Sequence, residues 1–201
     1  MRSIRPLEDL IIAIFLSECH IMKTPNGREL QFNLEQRKIQ LFHSYIHRNG
    51  IDNHIRFNTE TNVGQIKQSV LLEKILQEWT NNGVVTAIDP RIVKTSTFLL
   101  WISLFARKTK KGVTIDTNLP ELIQRDIPYY FRSYINTTLY PKGSSFDIKP
   151  FHFVLTSSIT AQRPASEILE LNFLLPENEE PVFKKIMAER EAETSINGYQ
   201  V

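Results

Sequence analysis

Six basic residues near the middle of the chain are the strongest candidates for a binding site. Four of them fall within five positions and are followed by Gly112. Cations at this density can neutralise the phosphates of a nucleic acid or the headgroups of acidic lipids. The predicted polyanion-binding residues are Arg91, Lys94, Arg107, Lys108, Lys110 and Lys111.

Histidines form the second cluster with chemical potential. His43 and His47 are four residues apart and so share one face of a predicted helix, and His54 follows closely. Three imidazoles can bind a metal, but no carboxylate stands in a convincing ligand position, so surface histidines are the favoured interpretation. The single cysteine, Cys19, rules out an internal disulfide and a four-cysteine zinc site, and we expect it to be buried.

Glycine usage argues against a loop-built nucleotide site. The chain has seven glycines, and none has the spacing of a dinucleotide-binding or phosphate-binding loop. A nucleophile-elbow pattern is also absent. We therefore predict no catalytic residue and no cofactor, and we expect a protein that is not an enzyme. A small metal-dependent enzyme that uses the histidines is the alternative.

The elements that must position these residues are clearest over residues 69–101. Apolar residues recur at helical spacing from Val70 to Trp79, and Ser69 is a suitable N-cap. Asn82-Gly83 favours a stop, and strands are predicted over 84–88 and 95–102. Residues 129–140 are ambiguous between helix and strand. The other predicted elements are helices over 6–22, 33–49 and 117–125, a hairpin over 22–32, a short helix within 59–68, and strands over 54–57, 151–160 and 168–175.

Residues 34–102 thus follow the order helix, short strand, short helix, helix, strand, loop, strand. This order is similar to the winged-helix superfamily at the level of the fold, and to no specific family. The resemblance implies that Arg91 and Lys94 lie in the wing, near the same edge as the 107–111 cluster. It also makes the helix before the wing the one that would meet DNA. The polar face of this helix carries two carboxylates and one lysine, so the phosphates of DNA would repel it. We therefore predict that a protein partner binds this face. The predicted partner-binding residues are Glu73, Lys74, Gln77 and Glu78.

Composition favours a folded chain. Of 201 residues, 41% are hydrophobic and the net charge is +2, which suits one domain or two small ones. The predicted fold class is α/β (α+β), with a winged-helix-like N-terminal two-thirds and mostly antiparallel strands in the C-terminal third. The predicted units are a winged-helix-like helical unit over 1–112, an α/β extension over 113–180 and an acidic tail over 181–201.

Charge is unevenly distributed along the chain. Residues 101–150 carry eight basic and four acidic residues, a net of +4, whereas residues 151–201 carry four basic and eight acidic residues, a net of −4. This asymmetry favours a polyanion-facing centre with a solvated tail. The apolar run Leu10 to Leu16 is too short to span a membrane and predicts a buried helix. We expect an intracellular protein, cytoplasmic or nuclear, that is soluble or peripheral.

Together these patterns predict a non-enzymatic adaptor or assembly protein. It would bind a protein partner, with possible self-association, and would touch nucleic acid or an acidic membrane through its basic cluster. One alternative is a nucleic-acid-binding regulator or replication initiator. Another is a viral matrix-type structural protein.

Overall fold

The computed structural model describes residues 4–109, 112–135 and 138–148. The strands predicted over 151–160 and 168–175 and the acidic tail over 181–201 lie outside the described residues. Within the described part of the chain, no helix is long and apolar enough to cross a bilayer.

The described chain consists of two similar halves joined by a short hairpin. The first half comprises α1 (Arg5–Leu16), β1 (Cys19–Thr24), β2 (Gly27–Asn33), α2 (Ile39–Asn49), β3 (Ile55–Asn58), β4 (Val63–Ile66) and α3 (Val70–Trp79). The hairpin is β5 (Thr80–Asn81) and β6 (Val84–Val85). The second half comprises α4 (Thr95–Phe105), β7 (Arg107–Thr109), β8 (Gly112–Asp116), α5 (Glu121–Gln124), α6 (Ile127–Ile135), β9 (Leu139–Lys142) and β10 (Ser145–Ile148).

Each half folds its strands into a four-stranded antiparallel sheet. The strand orders are β1-β2-β4-β3 and β7-β8-β10-β9, so the same topology occurs twice. In both halves a helix leads directly into the first strand, and helical residues separate the two strand pairs. The repeat is therefore visible in the order of elements, although the sequence contains no recognisable internal repeat. The structure has the predicted α+β class with antiparallel strands.

The helices α1 and α4 pack against each other at the centre of the molecule. Every residue from Leu10 to Leu16 has no exposed surface, which confirms the predicted buried helix. Helix α4 contributes Phe98 and Trp101 to the same core. The indole of Trp101 packs edge-on against Phe146 of β10, with ring centroids 5.6 Å apart. Helices that are apolar on nearly all sides are typical of such central positions.

Several local predictions are confirmed. Ser69 caps α3, because its Oγ accepts the backbone N–H of Leu72 at 3.1 Å. Gly50 ends α2 in the left-handed conformation, with φ of 62°. The predicted first hairpin is β1–β2, with Pro25-Asn26 in its turn.

Other predictions are wrong. Residues 95–102 belong to helix α4 and form no strand, because a continuous apolar run fits a buried helix as well as a buried strand. Residues 63–66 are strand β4, where a short helix was expected. The first helix ends at Leu16, not at residue 22. Asn82-Gly83 forms the turn of the β5–β6 hairpin, and only 84–85 of the predicted strand 84–88 is paired.

Residues 34–102 thus contain helix, two strands, helix, short hairpin and helix, so the second wing strand of the predicted order is absent from them. The proposed boundary after residue 112 falls at the start of strand β8. The three-unit division of the chain stays a prediction.

Candidate functional site

One face of the first sheet is open. Successive side chains of a strand point to opposite faces, and the residues that face the core are apolar, such as Leu30, Phe32 and Ile66. The opposite face carries mostly polar side chains that are exposed or half-buried, with Glu29 as a buried exception. Directly paired positions place four of them in one row across β1, β2, β4 and β3. The row is His20, Gln31, Gln65 and Arg56.

The second sheet has the same arrangement. Val113, Ile115 and Phe146 face the core. The alternate residues lie on the open face, and strand pairing again places four in a row across β7, β8, β10 and β9. This row is Arg107, Thr114, Asp147 and Tyr140.

The two open faces meet at a cleft of about 290 Å³ beside the C-terminal ends of α1 and α4. Residues from both halves line it, including Glu18 and Asn33 from the first and Arg107 and Asp116 from the second. Asn33, Arg107 and Asp116 all belong to open faces and all line this cleft. The two open faces therefore lie on the same side of the molecule. We call this cleft the seam.

Residues of opposite charge follow the two helix ends at the seam. Ser17 and Ala106 are the C-cap residues of α1 and α4, and Glu18 and Arg107 are the residues directly after them. Arg107 donates to Asp116 at 2.8 Å, and this hydrogen bond raises the pKa of Arg107, as does the charge of Glu35. The seam is therefore electrostatically asymmetric.

Buried polar contacts fix the helix ends that position the seam. Trp101 Nε1 donates to Ser17 Oγ at 2.9 Å, which joins α4 to the end of α1. The ammonium of Lys38, only 2% exposed, donates to the backbone carbonyl of Ser103 in the last turn of α4. A cation there satisfies a terminal carbonyl and complements the helix dipole.

Cys19 begins β1 on the core side. Its thiol is buried, as predicted, and burial raises its pKa to about 12, with the charge of Glu18 acting in the same direction. The thiol is consequently protonated and unreactive at neutral pH. Its backbone carbonyl accepts a hydrogen bond from the side chain of Asn118, which links the two halves next to the seam.

The four predicted polyanion-binding residues that the structure describes fall into two separate groups, Arg91 with Lys94 and Arg107 with Lys108. Lys94 is the N-cap of α4 and Arg107 follows its C-terminus, so the helix separates the two groups by about 16 Å. Arg91 is exposed and held by Asp89, with the closest approach at 2.8 Å. Lys108 is exposed at the sheet edge, on the side of β7 opposite to Arg107. Lys110 and Lys111 lie outside the described residues.

The predicted protein-partner residues lie on α3. Glu73 is engaged by Arg28 of β2 through three hydrogen bonds of 2.6–3.0 Å. Lys74 and Glu78 form a loose ion pair at 4.0 Å, and Gln77 is exposed. Glu73 thus attaches α3 to the first sheet, while the other three remain available to a partner.

The three histidines do not form a shared site. His43 packs against the rings of Phe42 and Phe57, whereas His47 lies 3.8 Å from Asp52. His54 is exposed just before β3. Among residues 4–109, 112–135 and 138–148, no three His, Cys, Asp or Glu side chains are grouped so that they could hold a metal.

Sequence reasoning missed the open-face rows and Glu18. The alternation of residues in β1 and β2 could have suggested which of them share a face. Their partners on β3 and β4 come from pairing across long stretches of chain, which local patterns do not reveal.

Comparisons with known proteins identify the fold and no family. No protein-family model matches the chain, and no curated protein matches it. Nothing in them bears on the winged-helix resemblance, which stays a prediction. The chain is similar to a solved structure of the homing endonuclease I-WcaI bound to its DNA recognition sequence, with a TM-score of 0.52 and 15% identity. The likeness covers 78% of this chain and 80% of that chain, and it shows that the two share a fold.

Proposed function

We propose that this chain is a nucleic-acid-binding protein that holds a DNA duplex against the open faces of its two sheets. The observation that carries the proposal is the seam, because it makes the two open faces one continuous surface. The structural neighbour with the same fold is bound to DNA, which supports this choice of partner. The nucleic-acid-binding alternative is thus favoured over the adaptor role.

Basic residues on this surface would supply the contacts to phosphates. Lys67 directly follows Ile66 of β4, so alternation along the strand puts it on the open side, where its ammonium donates to the backbone carbonyl of Asn53 at 2.9 Å. Arg107 lies at the seam. Each phosphate contact releases counterions, so affinity for a duplex should fall as salt rises. Arg91 and Lys94 lie at the opposite end of α4 and would not contact the same duplex.

Fluorescence anisotropy with a labelled duplex of random sequence, measured over a salt series, tests the proposal. We expect Lys67→Ala plus Arg107→Ala to weaken binding and to reduce the slope of log affinity against log salt by about 2. The control is Arg91→Ala plus Lys94→Ala, which removes the same charge and should leave the slope unchanged. Undetectable duplex binding at low salt would refute the proposal, and equal effects of the two pairs would place the duplex elsewhere.

Cleavage of DNA is the second candidate, since Glu18, Glu35 and Asp116 line the seam. Carboxylates bind the divalent cations that promote phosphodiester hydrolysis. However, Asp116 is engaged by Arg107, and Glu35 accepts a hydrogen bond from Arg37 at 2.6 Å. These pairs favour binding over hydrolysis. We expect supercoiled plasmid to stay intact with Mg²⁺, and cleavage that disappears in Glu18→Gln would establish the enzyme instead.

A protein-assembly role for α3 stays a separate prediction. Val70 begins this helix and is 90% exposed, next to Lys74 and Gln77 in a shallow depression. A single exposed apolar side chain is common on protein surfaces, so this role depends on a direct test. Self-association through α3 is tested by comparing the sedimentation of the purified wild-type chain with that of the Val70→Lys variant. The comparisons lend no support to a viral matrix-type role.

A further inference from the structure

The two open faces differ in how far their hydrogen-bonding groups are already used. On the first sheet, the side chains of His20, Gln31 and Gln65 form no hydrogen bond or ion pair with any other described residue. Arg56 is 3.6 Å from Glu29, yet its side chain is 62% exposed. Each glutamine amide thus keeps two donors and one acceptor oxygen for a ligand.

On the second sheet, the corresponding groups are engaged within the protein. Arg107 is bonded to Asp116 at 2.8 Å, and Asp147 to Lys142 at 3.4 Å. Thr114 is buried and donates to the backbone carbonyl of Phe146. These side chains could contact DNA bases only after their hydrogen bonds within the protein were broken.

The size of the first row suits the reading of bases. Neighbouring strands are about 4.8 Å apart, so four side chains on four strands extend over roughly 14 Å. Stacked base pairs are about 3.4 Å apart, so a row of this length spans about four base-pair steps. Glutamine amides pair with the major-groove edge of adenine, and arginine pairs with that of guanine.

We propose that sequence recognition is concentrated in the first sheet, where His20, Gln31, Gln65 and Arg56 read the bases. The second sheet then supports the duplex with little sequence preference. This inference rests on the proposed function, because it takes the ligand to be a DNA duplex. Gln31 and Gln65 oppose each other directly, so they should select adenine at neighbouring positions.

Selection from a duplex library with a randomised segment tests this division. We expect the wild-type chain to enrich a short, adenine-containing motif in one half of the bound site. Gln31→Ala and Gln65→Ala should each weaken binding to that motif by about 5- to 150-fold, while affinity for random duplex stays the same. Unchanged thermal unfolding would show that the variants are folded.

The matched control is Asp147→Ala, since Asp147 holds in the second row the place that Gln65 holds in the first. We expect this variant to select the wild-type motif. Loss of the motif in Asp147→Ala, or its retention in Gln65→Ala, would overturn the division. Tight duplex binding without any enriched motif would also overturn it but would leave the proposed function standing. Absence of duplex binding would instead remove the proposed function.

Discussion

Replacing Thr97 by valine removes one hydroxyl from the contact between the two central helices. Thr97 Oγ1 donates to Asp9 Oδ1 at 2.5 Å and accepts the backbone N–H of Lys94 at 3.2 Å. Arg5 also donates to Asp9 Oδ1, at 2.5 Å. Asp9 is 4% exposed and Thr97 is fully buried. The variant therefore leaves a buried carboxylate with one partner fewer, and it removes the hydroxyl that accepts from the backbone N–H of Lys94 and, at 3.2 Å, from Arg5.

The cost follows mainly from the losses at Asp9 and at the helix N-terminus. A hydrogen bond to a charged group contributes about 1.5–3 kcal/mol. Loss of a side-chain acceptor at a helix N-terminus costs about 1 kcal/mol. The valine methyl fills the space of the hydroxyl, so no cavity adds to the cost. We expect the free energy of unfolding to fall by about 3 kcal/mol, which lowers the urea midpoint by roughly 1.5 M at a slope of ~2 kcal/mol per molar.

Urea unfolding followed by tryptophan fluorescence measures this change, since Trp79 and Trp101 are both buried. The control is Thr95→Val, the same substitution two residues earlier in α4 at a half-buried position. It should cost less than about 0.5 kcal/mol. Equal midpoints for Thr97→Val and Thr95→Val would refute the role given to the Asp9 contact.

Three further perturbations probe the first half. Gly64→Ala places a Cβ 2.2 Å from the ring of Phe32 in β2, so it should lower the melting temperature by several degrees, as a thermal scan would show. The hydrogen bond from Arg28 lowers the pKa of Glu73, so this pair stabilises the fold above the unfolded pKa of about 4.3. The stability difference between wild type and Arg28→Gln should therefore shrink as pH falls from 6 through the folded pKa, as urea titrations at each pH would detect. Ser69→Ala removes the cap of α3 and should cost about 1 kcal/mol in the same assay, and an unchanged midpoint would contradict the capping geometry.

Interactions between residues close together in the chain determine part of this protein's structure. The cap at Ser69, the left-handed end of α2 at Gly50 and the first hairpin follow from residues close together in the chain. In such places a side chain or a turn meets backbone groups only a few residues away, so the sequence is sufficient. The class of the fold follows for the same reason.

The tertiary structure decided the central helix and the candidate site. Residues 95–105 are apolar on nearly every side, and only their packing against α1 makes them a helix. The rows of the open faces depend on strand pairing between distant segments, such as Gln31 with Gln65. The seam is lined by both Glu18 and Arg107, although these residues are far apart in the chain. The register between strands that are distant in the chain leaves no pattern in the local sequence. The sequence alone therefore shows which residues are polar, and the tertiary structure decides which of them lie together on one face.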